Sequence, residues 1–329
     1  MRSHAPRRAT MSKQTGTPFS KHVKWFLQGR TSSGERGMTI WSQLLSQLFL
    51  LLVAGTVIYP ILWIVSMSFD PRDVSRPTSL RLNPFSGGLS LKAYADVIAK
   101  PTPNPVNLEQ LTFNSFQLAI CVGIASIIVG VFASYAFSRL RFTGRQVLML
   151  AVLGVLMLPS IATLPSLFVL LNKVQFHIGG VLFNLRNSLL GVGVAILSGA
   201  LPFAIWNMKG YLDTIPRDLE EAAWIDGCNQ MSAFFLVTLP LALPVLAVTF
   251  FLGFMSTWTE FATSWLFLTN PKNFTLVMAL YNMVGQYSDS TPWSHFAALS
   301  ILIALPVAII YLFIQRWFVG GLAIGGVKG

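Results

Sequence analysis

Six long stretches of this chain contain no Lys, Arg, Asp or Glu: 37–69, 110–138, 146–172, 187–208, 227–259 and 290–315. Each exceeds the roughly 20 residues that an α-helix needs to cross a bilayer core. Only 11% of the 329 residues are charged, against about 25% in a water-soluble domain. A chain this apolar cannot cover itself with polar surface. An outer-membrane barrel is also disfavoured, because its strands run to about ten residues of alternating polarity. Trimmed by turn signals, the expected spans are 41–69, 113–138, 147–171, 187–208, 241–269 and 294–318. The fold class is all-α integral membrane, with six transmembrane helices and both termini cytoplasmic.

The net charge is +11. In a water-soluble protein that balance would raise nucleic acid as a partner. Here it is read as orientation, since cytoplasmic loops carry an excess of Lys and Arg. Residues 1–40 hold eight basic residues against one Glu. They are expected to form a disordered cytoplasmic tail. Loop 139–146 adds Arg139, Arg141 and Arg145. The opposite side has Lys173, Arg186 and Lys272, and a long extracytoplasmic loop, 70–112, with five basic and four acidic residues. The partners expected from composition are membrane lipid and no nucleic acid. The first apolar run begins too late and is too long for a cleavable leader.

Little in the chain suggests chemistry. Cys121 falls in the second span and Cys228 in a predicted cytoplasmic loop, so neither a disulfide nor a metal site is expected. His4, His22, His177 and His295 form no relay. Breakers in 70–112 exclude a continuous helix, although 89–99 can form a short surface helix. Pro159 and Pro165 interrupt the third span, either as a structural kink or beside a pathway. Glu260 is the one formal charge well inside a span. Such a carboxylate can line a solute path, bond a neighbouring helix, or reach water at the outer end.

Residues 209–240 are unlike the rest. They lie between spans yet hold five of the chain's twelve acids, Asp213, Asp218, Glu220, Glu221 and Asp226. The local code is helix, break, helix. Thr214 can cap a helix with Pro216 in its first turn. The early acids favour the helix dipole, and Gly227 supplies a left-handed stop. Asn229 or Ser232 can cap a second helix that Leu239-Pro240 ends. The small pair Ala222-Ala223 offers a face for close approach. The segment is either a helical hairpin that docks on another protein or an ordinary amphipathic surface loop.

Glu221-Ala222-Ala223, Asp226-Gly227 and Leu239-Pro240 together resemble the EAA motif of binding-protein-dependent ABC importer permeases. Pro202-Phe203, Met208-Lys209-Gly210, Ile215-Pro216 and Thr259-Glu260 resemble the carbohydrate-uptake branch. The Gly-rich end resembles its MalG-type, maltose/maltodextrin members. The resemblance covers roughly 110–329. It implies a permease core over 113–318, a coupling loop at 209–240 and a tail at 319–329, in a bacterial or archaeal cytoplasmic (inner) membrane. In that reading Glu220, Glu221, Ala222, Ala223, Asp226, Gly227, Leu239 and Pro240 serve the ATPase-coupling loop. Gly325, Gly326 and Lys328 face the ATPase, and Asn273, Phe274 and Thr275 belong to a loop facing the binding protein. Implied partners are a homologous MalF-type permease, a MalK-type ATPase dimer and an extracytoplasmic sugar-binding protein. The chain has no phosphate loop, so ATP and Mg are implied on partner subunits and no cofactor on this one. The alternatives are another solute (trehalose, another oligosaccharide, glycerol phosphate) or an ion-coupled secondary transporter.

Overall fold

The computed structural model describes residues 40–71, 88–178, 181–284 and 291–325. Residues 1–39 of the predicted tail 1–40, residues 72–87 of the loop 70–112, and the candidate site residues Gly326 and Lys328 lie outside them. The chain divides into two units at residues 63 and 64. In the first, the described residues form most of α1 (Ile40–Ser68), an apolar helix with Pro60 inside it.

The second unit is almost wholly helical. Its elements are α2 (Lys92–Ala99), α3 (Leu108–Arg139), α4 (Arg145–Leu156), α5 (Ser160–Lys173) and α6 (Leu189–Leu212). Then come α7 (Asp218–Ile225), α8 (Gln230–Ala233), a π turn (Phe234–Thr238) and α9 (Leu239–Leu241). The chain closes with α10 (Leu243–Trp258), α11 (Ala262–Phe267), a 3-10 turn (Pro271–Asn273), α12 (Leu276–Asn282) and α13 (Trp293–Gly325). By length and composition, α1, α3, α6 and α13 can each cross a membrane, with mean hydropathy of 2.0 to 2.7. The pair α4–α5 is bent by 102°, and Gln230–Leu241 meets α10 at 73°. Counting each bent pair as one span gives six.

The first bend coincides with a proline. Pro159 has no backbone N–H with which to continue α4, and it holds an extended ψ of 122° at the start of α5. Pro165, expected to interrupt the same span, instead lies inside α5. The fifth span is shorter than expected from 241–269, because the helix breaks after Trp258 and resumes at Ala262. The sixth runs past its expected end at 318 to Gly325, where Leu322, Ala323 and Ile324 favour continuation. One element is not helical. β1 (Gln175–Ile178) pairs antiparallel with β2 (Val181–Asn184), Ile178 opposite Val181. Gly179-Gly180 links them in the sequence, a pair that two-residue hairpin connections favour.

Helix α3 is the centre of the packing, against α6 on one side and α10 on the other. Small residues make the approach possible, as at other helix crossings in lipid. A Cβ on Gly253 would come 3.4 Å from the Gly123 Cα and 3.2 Å from the Ser126 Oγ. Gly130 sits beneath Met208 of α6. At one end of the bundle, Trp258 stacks on Phe254 and donates its indole N–H to the Ile303 carbonyl of α13 at 2.9 Å. Tyr94 of α2 donates to Ser68 at 2.8 Å and ties the end of α1 to the same region. At the opposite end, Val131, Tyr135, Met208, Leu212 and Phe234 form a separate buried cluster.

Gly123→Val tests the α3–α10 crossing. Its added carbon starts 3.0 Å from the Phe250 ring and 3.3 Å from the Phe250 carbonyl oxygen, so overpacking should cost about 1–3 kcal/mol. A thermal melt of the purified subunit should show a lowered midpoint. Gly154→Ala, where nothing lies within 4 Å, should not lower it.

Candidate functional site

The acidic segment folds as a helical hairpin. Its first helix begins later than Thr214 would place it. Asp218 opens α7 after Arg217, and the Thr214 hydroxyl donates backward to the Tyr211 carbonyl instead of capping forward. Asp218, Glu220 and Glu221 all lie in the first turn, near the positive end of the helix dipole. The stop is where the sequence puts it. Gly227 adopts φ +92°, its N–H reaches the Trp224 carbonyl, and the Cys228 N–H reaches the Ala223 carbonyl. That pair of bonds is a Schellman closure, which needs a left-handed residue. Asn229 then caps α8 by accepting from the Ser232 N–H at 2.8 Å. The helical path continues through the π turn into α9, and it bends after Leu241 rather than at Leu239-Pro240.

Position in the helix separates residues that are adjacent in sequence. Successive residues on a helix point in different directions, so Glu220 and Ala223 turn inward while Glu221 and Ala222 face out. The Ala222-Ala223 pair therefore does not form one approachable face. Outward with Glu221 are Trp224, Asp226 and Ile225, the last 87% exposed. Met231 and Leu236 extend the exposed apolar surface along the second arm. Leu239 packs against the buried cluster, whereas Pro240 is exposed.

The inward face is clamped by charge. Arg139, the last residue of α3, donates from Nε to the Glu220 Oε1 at 2.6 Å, and the two side chains are 6% and 4% exposed. Its Nη2 donates to the Ile215 carbonyl at 2.9 Å and its Nη1 to the Ser138 hydroxyl at 3.1 Å. The Tyr135 hydroxyl donates to the other Glu220 oxygen at 3.2 Å. Ser138 donates to Asp213 at 2.6 Å, Lys209 pairs with the other Asp213 oxygen, and Arg217 donates to the Ser138 carbonyl at 2.7 Å. Burial works to raise the Asp213 carboxyl. Hydrogen bonds from Lys209 and Ser138, with the charges of Lys209 and Arg139, outweigh it and hold the carboxyl below its ordinary value of 3.8. A lowered carboxyl stabilises the fold above that ordinary value and loses the contribution as pH falls through the lowered one.

Sequence reasoning found the hairpin but missed its anchor. Arg139 was read only as an orienting charge and Asp213 only as one of five acids. Arg139 and Glu220 stand 81 residues apart, and only an isolated Arg closing a long apolar run hinted at a partner.

The other candidate residues are more dispersed. Glu260 does not lie within a continuous helix. It follows the break after α10, and its two oxygens accept from the Thr263 N–H, the Ser264 N–H at 3.1 Å and the Ser264 hydroxyl at 3.0 Å, as an end cap for α11. Asn273, Phe274 and Thr275 lean into the bundle. Asn273 donates to the Asn187 carbonyl, Asn114 donates to the carbonyls of Lys272 and Phe274, and Thr275 is 4% exposed. The exposed residues of that loop are Thr269, Asn270 and Lys272. Gly325 closes α13. Among the described residues, no three His, Cys, Asp or Glu side chains stand together to hold a metal.

The structure is thus a bundle of helices apolar enough to cross a membrane, with a helical hairpin held by a buried ion pair and carrying an outward acidic and apolar face. Residues 126–323 match the family described as binding-protein-dependent transport system inner membrane component. The maltose/maltodextrin transport system permease protein MalG of Vibrio vulnificus strain YJ016 is 35% identical over 279 residues, covering 83% of this chain and 91% of that protein. MalG of Escherichia coli K12 is 33% identical, with 87% and 95% covered. The galactooligosaccharides transport system permease protein GanQ of Bacillus subtilis strain 168 is 32% identical, again with 87% and 95% covered. The fold matches a chain in the crystal structure of a bacterial ABC transporter that imports alginate, with a TM-score of 0.57 at 22% identity over 84% of this chain and 96% of that one. This chain belongs to the binding-protein-dependent ABC transporter permeases. It is a multi-pass inner-membrane subunit without a cofactor of its own. ATP hydrolysis belongs to separate ATPase subunits, and transport by this family depends on a binding protein. The ion-coupled alternative is thereby set aside.

The clamp gives a double-substitution test. Arg139→Leu or Glu220→Leu alone leaves a buried charge unpaired and should cost about 3–5 kcal/mol. Both together remove the pair and should cost clearly less than the sum of the single losses. Thermal midpoints of the four proteins measure the difference.

Proposed function

We infer that this chain is one of two non-identical permease subunits of an ATP-driven sugar importer, with maltose and maltodextrins as the first substrates to test. The resemblance to MalG proteins over most of the chain supports that choice. The similar identity to GanQ favours galacto-oligosaccharides as the second reading. Trehalose and glycerol phosphate remain as comparison solutes.

One observation carries the mechanical reading. The hairpin is fixed on its inner side by the Arg139–Glu220 pair and free on its outer side at Glu221, Trp224, Ile225 and Asp226. A rigid element with one clamped and one exposed face transmits displacement, because packed structure resists deformation. In this reading residues 209–240 are cytoplasmic and seat in a MalK-type ATPase dimer. Closure of that dimer draws the hairpin inward, and α3 and α6 follow as bodies, switching the access of the pathway. Arg139, Arg141 and Arg145 lie at the hairpin end, as the excess of cytoplasmic basic residues favours. The tail with Gly325, Gly326 and Lys328 extends toward the ATPases. A MalF-type subunit completes the pathway, and the loop carrying Asn273, Phe274 and Thr275 meets the sugar-binding protein through its exposed neighbours Asn270 and Lys272. Glu260 acts on α11 rather than on solute.

The reading is tested by uptake of labelled maltotriose, galactotriose, trehalose and glycerol phosphate in a strain lacking the native gene. Gly227→Val forces a branched residue into a left-handed turn at a cost of about 1–2 kcal/mol, and uptake should fall about tenfold. Full uptake by an assembled Gly227→Val complex would contradict the coupling role. A membrane-impermeant maleimide should reach Cys228 from the inner side alone. Labelling from outside intact cells would overturn the orientation.

A further inference from the structure

Three arginines stand at or just beyond the end of α3, and contacts within the chain occupy only one of them. Arg139 is committed to the clamp. Arg141 makes no hydrogen bond or ion pair with a described residue, and Arg145 makes only a long bond, 3.5 Å, to the Leu140 carbonyl. Both line one concavity of about 650 Å³ at the corner between α3 and α4. The sequence holds no acid between Glu109 and Asp213, and α4 has none in its first turn. Two guanidiniums bordering one space repel each other, and an anion placed between them relieves the repulsion.

The surface beyond the corner is apolar. Helix α4 begins at Arg145 and buries none of its residues. Val147 and Leu150, neighbours on one face of it, are 70% and 67% exposed. Phe142 and Val147 also line the concavity, so the basic and apolar parts are continuous. An exposed apolar stretch rimmed by polar residues marks a surface that lipid or protein covers. A free phosphate would leave the apolar part bare, and a headgroup without net charge would do little for the arginines. An amphiphile with an anionic phosphate satisfies both parts, since a guanidinium binds phosphate through paired N–H donors. The cytoplasmic leaflet carries such headgroups.

We propose that this corner is a binding site for an anionic phospholipid, with Arg141 and Arg145 on its phosphate and an acyl chain along Val147 and Leu150. The inference goes beyond the transport reading and depends on neither the sugar nor the ATPase. It gives two residues that orient the chain a bound partner as well. Arg141 lies two residues from Arg139 of the clamp, so the lipid sits where α3 meets the hairpin. An acidic surface of another subunit is the competing occupant.

The test uses the complete importer in mild detergent, equilibrated with equal amounts of phosphatidylglycerol and phosphatidylcholine of matched chains. Lipid that stays with the washed complex is measured by mass spectrometry. The parent should retain phosphatidylglycerol in large excess. Arg141→Gln with Arg145→Gln should retain the two lipids about equally. Lys173→Gln with Lys272→Gln removes the same charge elsewhere and should keep the excess. Where the double variant does not assemble, Arg141→Gln alone carries the test, since that side chain bonds nothing in the chain, and it should lower the excess about fivefold. Equal retention by the parent would overturn the proposal, as would an excess that survives the arginine substitutions. Displacement of the lipid by inorganic phosphate would identify a bare anion site and overturn the lipid assignment. Loss of the ATPase subunits from the arginine variants, with phosphatidylglycerol retention unchanged, would overturn it in favour of a protein contact.

Discussion

The Arg139 guanidinium is the hub of the contacts that hold the hairpin to the bundle. Arg139 closes the uncharged run 110–138 and bonds a carboxylate, a hydroxyl and a main-chain carbonyl at once. Three partners in three directions fix the Arg139 side chain and with it the positions of α7, the 213–217 turn and the end of α3. A buried ion pair adds little stability by comparison with apolar packing, but breaking one partner is severe. Such a pair fixes geometry more effectively than it adds free energy. The hairpin's exposed apolar residues gain from that fixation, since a surface already in position loses little freedom when a partner covers it.

The clamp also accounts for the acids of the segment. Five of them stand where basic residues would be expected to dominate. Two have cationic partners, the buried Glu220 with Arg139 and the exposed Asp213 with Lys209. The remaining three, Asp218, Glu221 and Asp226, are exposed and make no ion pair with this chain's described residues. Two of the five acids are therefore engaged within the protein, and the outward face carries the other three. Residue identity in the run Glu220-Glu221 says nothing of this division, because it depends on which side of α7 meets α3.

Features set by local sequence were legible. Uncharged runs marked the spans, Gly227 marked the stop, Asn229 marked the second start, and Pro159 marked the bend of the third span. Each depends on a few contiguous residues and on rules of propensity, capping or hydropathy. Features set by distant contacts were not. The bond from Arg139 to Glu220 crosses 81 positions, and the inward lean of Thr275 depends on Asn114 and Ser115 more than 150 residues away. The β1–β2 hairpin was lost for a different reason. It is short and follows an apolar run, so hydropathy alone assigned it to a loop. Thr214 was a plausible cap by type, but Ile215 and the proline after it delay the helix to Asp218.

Charge is distributed unequally along the bundle. At the hairpin end, Arg139 and Glu220 are paired inside the protein, Lys209 and Asp213 pair nearer its surface, and Arg217, Asp218, Glu221 and Asp226 face out. Around a groove between α3, α6 and α10 there are none. Glu260, the one acid expected within a span, is engaged by the backbone of α11 through both oxygens. Keeping charge out of the bundle spares it the desolvation cost that an unpaired carboxylate would carry there, and charge gathers where the hairpin supplies its partners.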